Sequence, residues 1–163
     1  MTRISYVFKY VLAFLLVWAL SPREVKAAHI IGGDIYWECI TTGPDAGKFE
    51  FYLKLYRDCS VNSIVSTSGQ FIEVWDNTNQ LANLQLTLQS QTDVTPPGCG
   101  FSCADQLPNI SVEEYIFKSA PLAINVVPGP TGIEVIYHRC CRNPVDNLQG
   151  AVNEEIYYAA TMY

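Results

Sequence analysis

Positive charge is scarce in this chain, with 10 Lys and Arg against 16 Asp and Glu in 163 residues. Nucleic-acid binding depends on clustered cations that neutralise phosphates, so this balance argues against it, and it equally disfavours an anionic membrane surface. Histidine is scarcer still, at positions 29 and 138 alone. A hydrolytic triad needs a base held against a nucleophile and oriented by a carboxylate, and no such set can be assembled from these residues. No segment beyond residue 27 is apolar for the roughly 20 residues that a spanning helix requires. No 3.6-residue amphipathic period occurs outside the N-terminal segment, and no internal repeat is visible. These absences exclude a helical domain, a repeat array and a nucleic-acid binder, and they predict no enzyme and no cofactor.

The N-terminus has the layout of an export signal. Arg3 and Lys9 precede an apolar stretch from Tyr10 to Leu20, and a short polar segment ends in Val25-Lys26-Ala27-Ala28. Val25 and Ala27 suit the −3 and −1 positions, which predicts cleavage between Ala27 and Ala28 and a domain over 28–163. Cleavage removes Arg3, Lys9, Arg23, Lys26 and Glu24, leaving 6 basic and 15 acidic residues, a formal charge of −9, on 136 residues. That length is about one domain. The chain ends at Met162-Tyr163, directly after an apolar run, which suggests either a last strand tucked into the sheet or the front of a longer protein.

All six cysteines, Cys39, Cys59, Cys99, Cys103, Cys140 and Cys141, follow the signal. An even count in an exported chain predicts disulfides. Cys99 and Cys103 share the turn-rich loop Pro96-Pro97-Gly98-Cys99-Gly100-Phe101-Ser102-Cys103 and are expected to close a local ring. Neighbouring strand residues face opposite ways, and a Cys140–Cys141 bridge would be strained. Those two are therefore expected to reach Cys39 and Cys59, in either order. The spacings match no usual zinc site.

The remainder reads as short strands. Phe49, Phe51, Leu53 and Leu55 alternate with Glu50, Tyr52, Lys54 and Tyr56, which predicts one buried and one wet face. Further strands are predicted over 34–40, 71–75, 84–89, 112–118, 122–127, 133–137 and 155–161. Asp76-Asn77-Thr78-Asn79 and Pro128-Gly129-Pro130-Thr131-Gly132 are turn sequences, and a long loop is expected from about Ser90 to Ser111. Seven to nine strands of this size point to a disulfide-stapled all-β fold, an immunoglobulin-like antiparallel β-sandwich.

Few residues suggest chemistry. Ile30-Ile31-Gly32-Gly33 is similar to the processed N-terminus of trypsin-like proteases, but no Gly-Asp-Ser-Gly-Gly follows. Glu113-Glu114 and Glu154-Glu155 are adjacent on strands, so the members of each pair face apart and are expected at the solvated surface. The Asp76 turn has oxygen ligands, yet lacks the glycine and distal glutamate of a calcium loop. His138, Arg139 and Arg142 form the one cationic cluster. They are candidates for a sulfate, phosphate or carboxylate ligand, because Arg offers a bidentate fork. Arginines of this kind also commonly pair with the protein's own carboxylates.

Three motifs carry a resemblance: Ala28-His29-Ile30-Ile31-Gly32-Gly33-Asp34-Ile35-Tyr36-Trp37-Glu38-Cys39, Leu53-Lys54-Leu55-Tyr56-Arg57-Asp58-Cys59 and Tyr137-His138-Arg139-Cys140-Cys141-Arg142-Asn143-Pro144. In this order they resemble the N-terminal module of large secreted Bacteroidetes surface proteins, which continue into PKD or immunoglobulin-like repeats. Those proteins end in a gliding-motility-associated sorting domain used by type IX secretion. The resemblance implies a non-catalytic, adhesin-like module, secreted or at the cell surface, whose partner would be a surface ligand or polysaccharide. The alternative is a carbohydrate-binding or calcium-dependent binding module that uses exposed Tyr and Trp faces.

Overall fold

Strict alternation of burial along Phe51, Leu53 and Leu55 shows how the strands are laid down, since all three are fully buried while their neighbours face water. The computed structural model describes residues 30–59, 65–105, 111–140 and 155–163. The predicted signal segment with Ala27 and Ala28, together with Cys141 and Arg142, lies outside them. Seven strands form: β1 Ile30–Cys39, β2 Phe49–Asp58, β3 Gln70–Asp76, β4 Asn79–Asp93, β5 Val112–Ser119, β6 Ile133–Arg139 and β7 Ile156–Met162. A single 3-10 turn covers Cys103–Asp105.

The strands make one antiparallel sheet in the order β1-β2-β5-β4-β3-β6-β7. Its hinge is β4, which pairs with β3 from Asn79 to Leu86 and with β5 from Leu86 to Asp93. Leu86 stands opposite both Gln70 and Ser119, and it is buried. The two halves of the sheet thus share one long strand and curl towards each other. Bulges add bend where Leu81 and Gln89 are extra residues on β4, because a bulged strand kinks and twists more strongly.

The curl brings the two outer strands together, giving a near-barrel. Gly33 of β1 lies under the Tyr158 ring of β7, and a Cβ on Gly33 would stand 2.6 Å from Cε2 of that ring and 2.8 Å from the Lys54 carbonyl oxygen. No side chain fits there, which accounts for glycine at this position. Inside, Ile35, Leu53, Leu55, Ile72, Val74, Phe117, Ile133 and Val135 make one apolar core. Full burial of such a side chain contributes about 1.5–3 kcal/mol.

Two strand expectations are corrected. β4 runs to Asp93, so the loop starts later than Ser90, and residues 122–127 form no strand. Leu122, Ile124 and Val126 do pack on the core, but their only ladder contact is one bridge, in which Leu122 and Phe49 exchange backbone hydrogen bonds of 2.9 Å. Asp76 to Asn79 is the tight turn joining β3 and β4, with Asn77 left-handed at φ 52°, as Asn tolerates.

The cysteine pairing also departs from the expectation. Cys59 bonds Cys103, tying the end of β2 to the loop after β4 across 44 residues, while Cys39 and Cys99 are free and exposed. The reason is the fold of the loop. Asp93 accepts from the backbone N–H of Thr95 at 2.9 Å and of Cys103 at 2.7 Å, which draws Cys103 back to β2. Cys99 sits between Gly98 and Gly100, both at positive φ, in a turn that faces solvent. Cys39 ends β1 opposite Phe49, the first residue of β2. The ten residues of β2 therefore separate it from Cys59, about 30 Å at the strand rise. Cys140 is disulfide-bonded, and its partner lies outside the described residues, so neither Cys39 nor Cys59 is tied to it.

Candidate functional site: the gap where β3 and β6 part

The ladder between β3 and β6 stops at Glu73 opposite Ile136, although β3 begins at Gln70 and β6 continues to Arg139. Past that point the strands separate, and side chains replace the backbone ladder. The Tyr137 hydroxyl donates to Gln70 Oε1 at 2.9 Å, and Gln70 Nε2 donates to the Ser66 carbonyl at 2.7 Å. Both side chains are fully buried. A buried amide or phenol without a partner costs about 1–3 kcal/mol, so this relay is what lets polar groups occupy the gap.

Over the relay lies a pocket of about 310 Å³. Gly69, Gln70, Phe71 and Glu73 line it with Asn83 and Tyr137, and His138 and Arg139 join them from the end of β6. Phe71 is 45% exposed. Glu73 is held on both oxygens: Trp75 Nε1 donates to one at 2.9 Å, and His138 Nε2 lies 3.5 Å from the other. Burial pushes the Tyr137 phenol's pKa up, and Arg139 opposes that shift.

Two of the three candidate cations therefore meet here, since His138 and Arg139 leave β6 on opposite faces and line one pocket at its end. The described cations elsewhere are paired. Lys48 meets Asp45 at 2.7 Å, Lys54 meets Glu114 at 3.8 Å, Arg57 meets Glu113 at 3.1 Å and Lys118 meets Glu50 at 2.7 Å. Among the described residues Arg139 is the one Lys or Arg in no such ion pair.

No family model matches this chain, and neither does a curated protein or a solved structure.

The other sequence candidates take structural places. Glu113 and Glu114 face apart, as adjacent strand residues must, but Glu113 is not at the solvated surface. It is 9% exposed, accepts from the Tyr115 hydroxyl at 2.6 Å and from Gln91 Nε2 at 2.8 Å, and pairs with Arg57. Burial and then the bond to Glu113 drive the Tyr115 pKa upward. Glu114 lies on the wet face with Lys54 and accepts from the Tyr56 hydroxyl at 3.0 Å. On that same face Tyr36 and Tyr52 stack at 4.7 Å, with Lys54 5.5 Å from the first ring and Lys118 5.6 Å from the second. These rings occupy one another, which leaves them poor platforms for a sugar. Among the described residues no group of three His, Cys, Asp or Glu could hold a metal ion, and no helix is long and apolar enough to cross a membrane.

Sequence reasoning missed Gln70, Phe71 and Asn83. Gln70 left one signal, a polar residue in phase with the inward positions Ile72 and Val74.

Proposed function

We propose that this chain is a non-catalytic extracellular module of a secreted or cell-surface protein, an immunoglobulin-like sandwich of adhesin type. The strand order carries the reading. Four strands in the order β1-β2-β5-β4 and three in the order β3-β6-β7 repeat the A-B-E-D and C-F-G arrangement of immunoglobulin sheets, with β4 shared between the two. The residues of the sequence motifs support it as well, because they serve the frame: Gly33 receives Tyr158, Arg57 neutralises buried Glu113, and Cys59 staples the loop. A surface protein that presents a scaffold needs such fixtures and no reacting centre. The resemblance to Bacteroidetes gliding-motility proteins adds a setting, in which type IX secretion and further β-domains complete the assembly.

Epitope-tagged full chain expressed in a Bacteroidetes host tests this directly. Protease added to intact cells is expected to remove the tag from the cell surface or find it in the medium, with the leader cleaved. A cytoplasmic product with an intact leader and reduced Cys59 and Cys103 overturns the reading.

A further inference from the structure

We propose that the pocket between β3 and β6 binds an acidic saccharide, with the ligand's carboxylate or sulfate on Arg139 and its ring against Phe71. This rests on the reading of the chain as a surface binding module. The first argument is charge. In a chain with a large acidic excess, Lys48, Lys54, Arg57 and Lys118 each have a carboxylate partner. Arg139 instead lines a pocket together with Tyr137 and Gln70, whose buried hydrogen bonds run on to the Ser66 carbonyl. The guanidinium fork fits a planar carboxylate or a sulfate ester.

The second argument is what shares the pocket. Glu73 would repel a bare phosphate or sulfate ion, so a simple anion is a poor occupant. A uronic acid or sulfated sugar carries one acidic group together with hydroxyls. Its hydroxyls can donate to Glu73, and both accept from and donate to Asn83 and His138. The Phe71 ring offers an apolar surface for the C–H face of the sugar, whereas an acidic peptide supplies few hydroxyls to Glu73. A volume of about 310 Å³ is at the small end of ligand pockets, the scale of one or two sugar rings.

Titration calorimetry on the oxidised full chain tests the proposal with three tetrasaccharides of one linkage: glucuronate-containing, sulfate-ester-bearing and neutral. The expected result is binding of at least one acidic form roughly 10-fold or more tighter than the neutral one; the two acidic arms identify the anion. Arg139→Gln should abolish that preference, Arg139→Lys should keep part of it, and Phe71→Ala should weaken all forms alike, with melting temperatures recorded for every variant. No binding of either acidic form overturns the proposal, as does equal binding of the neutral one, an acidic preference that survives Arg139→Gln, or tight binding of an acidic peptide in place of the sugars. Surface exposure without saccharide binding would remove this proposal and leave the module reading standing; saccharide binding by a cytoplasmic protein would do the reverse.

Discussion

Tyr137 and Gln70, 67 residues apart in sequence, share a fully buried hydrogen bond of 2.9 Å at the place where β3 and β6 stop pairing. The bond does the work that the backbone ladder does elsewhere, and it sets the floor of the pocket. Tyr137→Phe removes the donor and strands the Gln70 oxygen, so the expected loss is about 1–3 kcal/mol in denaturant unfolding. Pairing it with Gln70→Leu should recover part of that loss, because both polar ends are then gone. An additive double variant would show that the two side chains are not coupled.

The closure of the near-barrel depends on Gly33. Gly33→Ala places a methyl against the Tyr158 ring and the Lys54 carbonyl, and overpacking of this kind costs about 1–3 kcal/mol. Tyr158→Ala should relieve only the ring half of the clash. Thermal melts of the two single variants and the double variant measure this, and an unaltered Gly33→Ala protein would mean that β1 and β7 do not meet.

Opening the Cys59–Cys103 bridge, by Cys59→Ser with Cys103→Ser, should cost about 4 kcal/mol for a loop of this span in the chain-entropy model. Cys39→Ser and Cys99→Ser should each change stability little. Alkylation of the native oxidised protein followed by peptide mass analysis should label Cys39 and Cys99. A labelled Cys59, or a bridge between Cys99 and Cys103, would contradict the pairing.

Acid should loosen the loop after β4 before the core. The Thr95 hydroxyl and the backbone N–H groups of Cys103 and Thr95 all stabilise the charged form of Asp93 and hold its carboxyl below the ordinary range. A lowered folded pKa means that the contribution is complete above the unfolded value, about 4, and is lost as pH falls through the folded one. Hydrogen exchange of residues 94–105 should therefore accelerate on acidification below about pH 4, and Asp93→Asn should flatten that response. Parallel profiles for the two proteins would assign the acid sensitivity to another group.

Local pattern made much of the fold readable. β2 follows from alternation, since a strand's two faces see different solvents and the period is two, and β3, β5, β6 and β7 follow from short aromatic and β-branched runs bounded by turn residues. The extension of β4 to Asp93 was hidden, because Gln89, Ser90, Gln91 and Thr92 show no apolar alternation and are held as strand by β5 alone. The run from Leu122 to Val127 was misleading for the opposite reason. Its apolar residues cover the core edge, but only one bridge to Phe49 is on offer.

At the site, His138 and Arg139 were visible as a cationic cluster in an acidic chain, and their chemistry follows from residue type. Their meeting with Gln70, Phe71 and Asn83 was not visible, because it requires β3 to lie beside β6 and then part from it. The sequence by itself determined most of the strand-forming segments, the turns and the charge balance, all of which are properties of neighbouring residues. Tertiary structure decided that Cys59 meets Cys103, that Glu113 is buried on Arg57, and that Arg139 is brought into the pocket beside Tyr137 and Gln70. Each of these depends on which distant strands share an edge, and that is fixed by the curl of the whole sheet around one core.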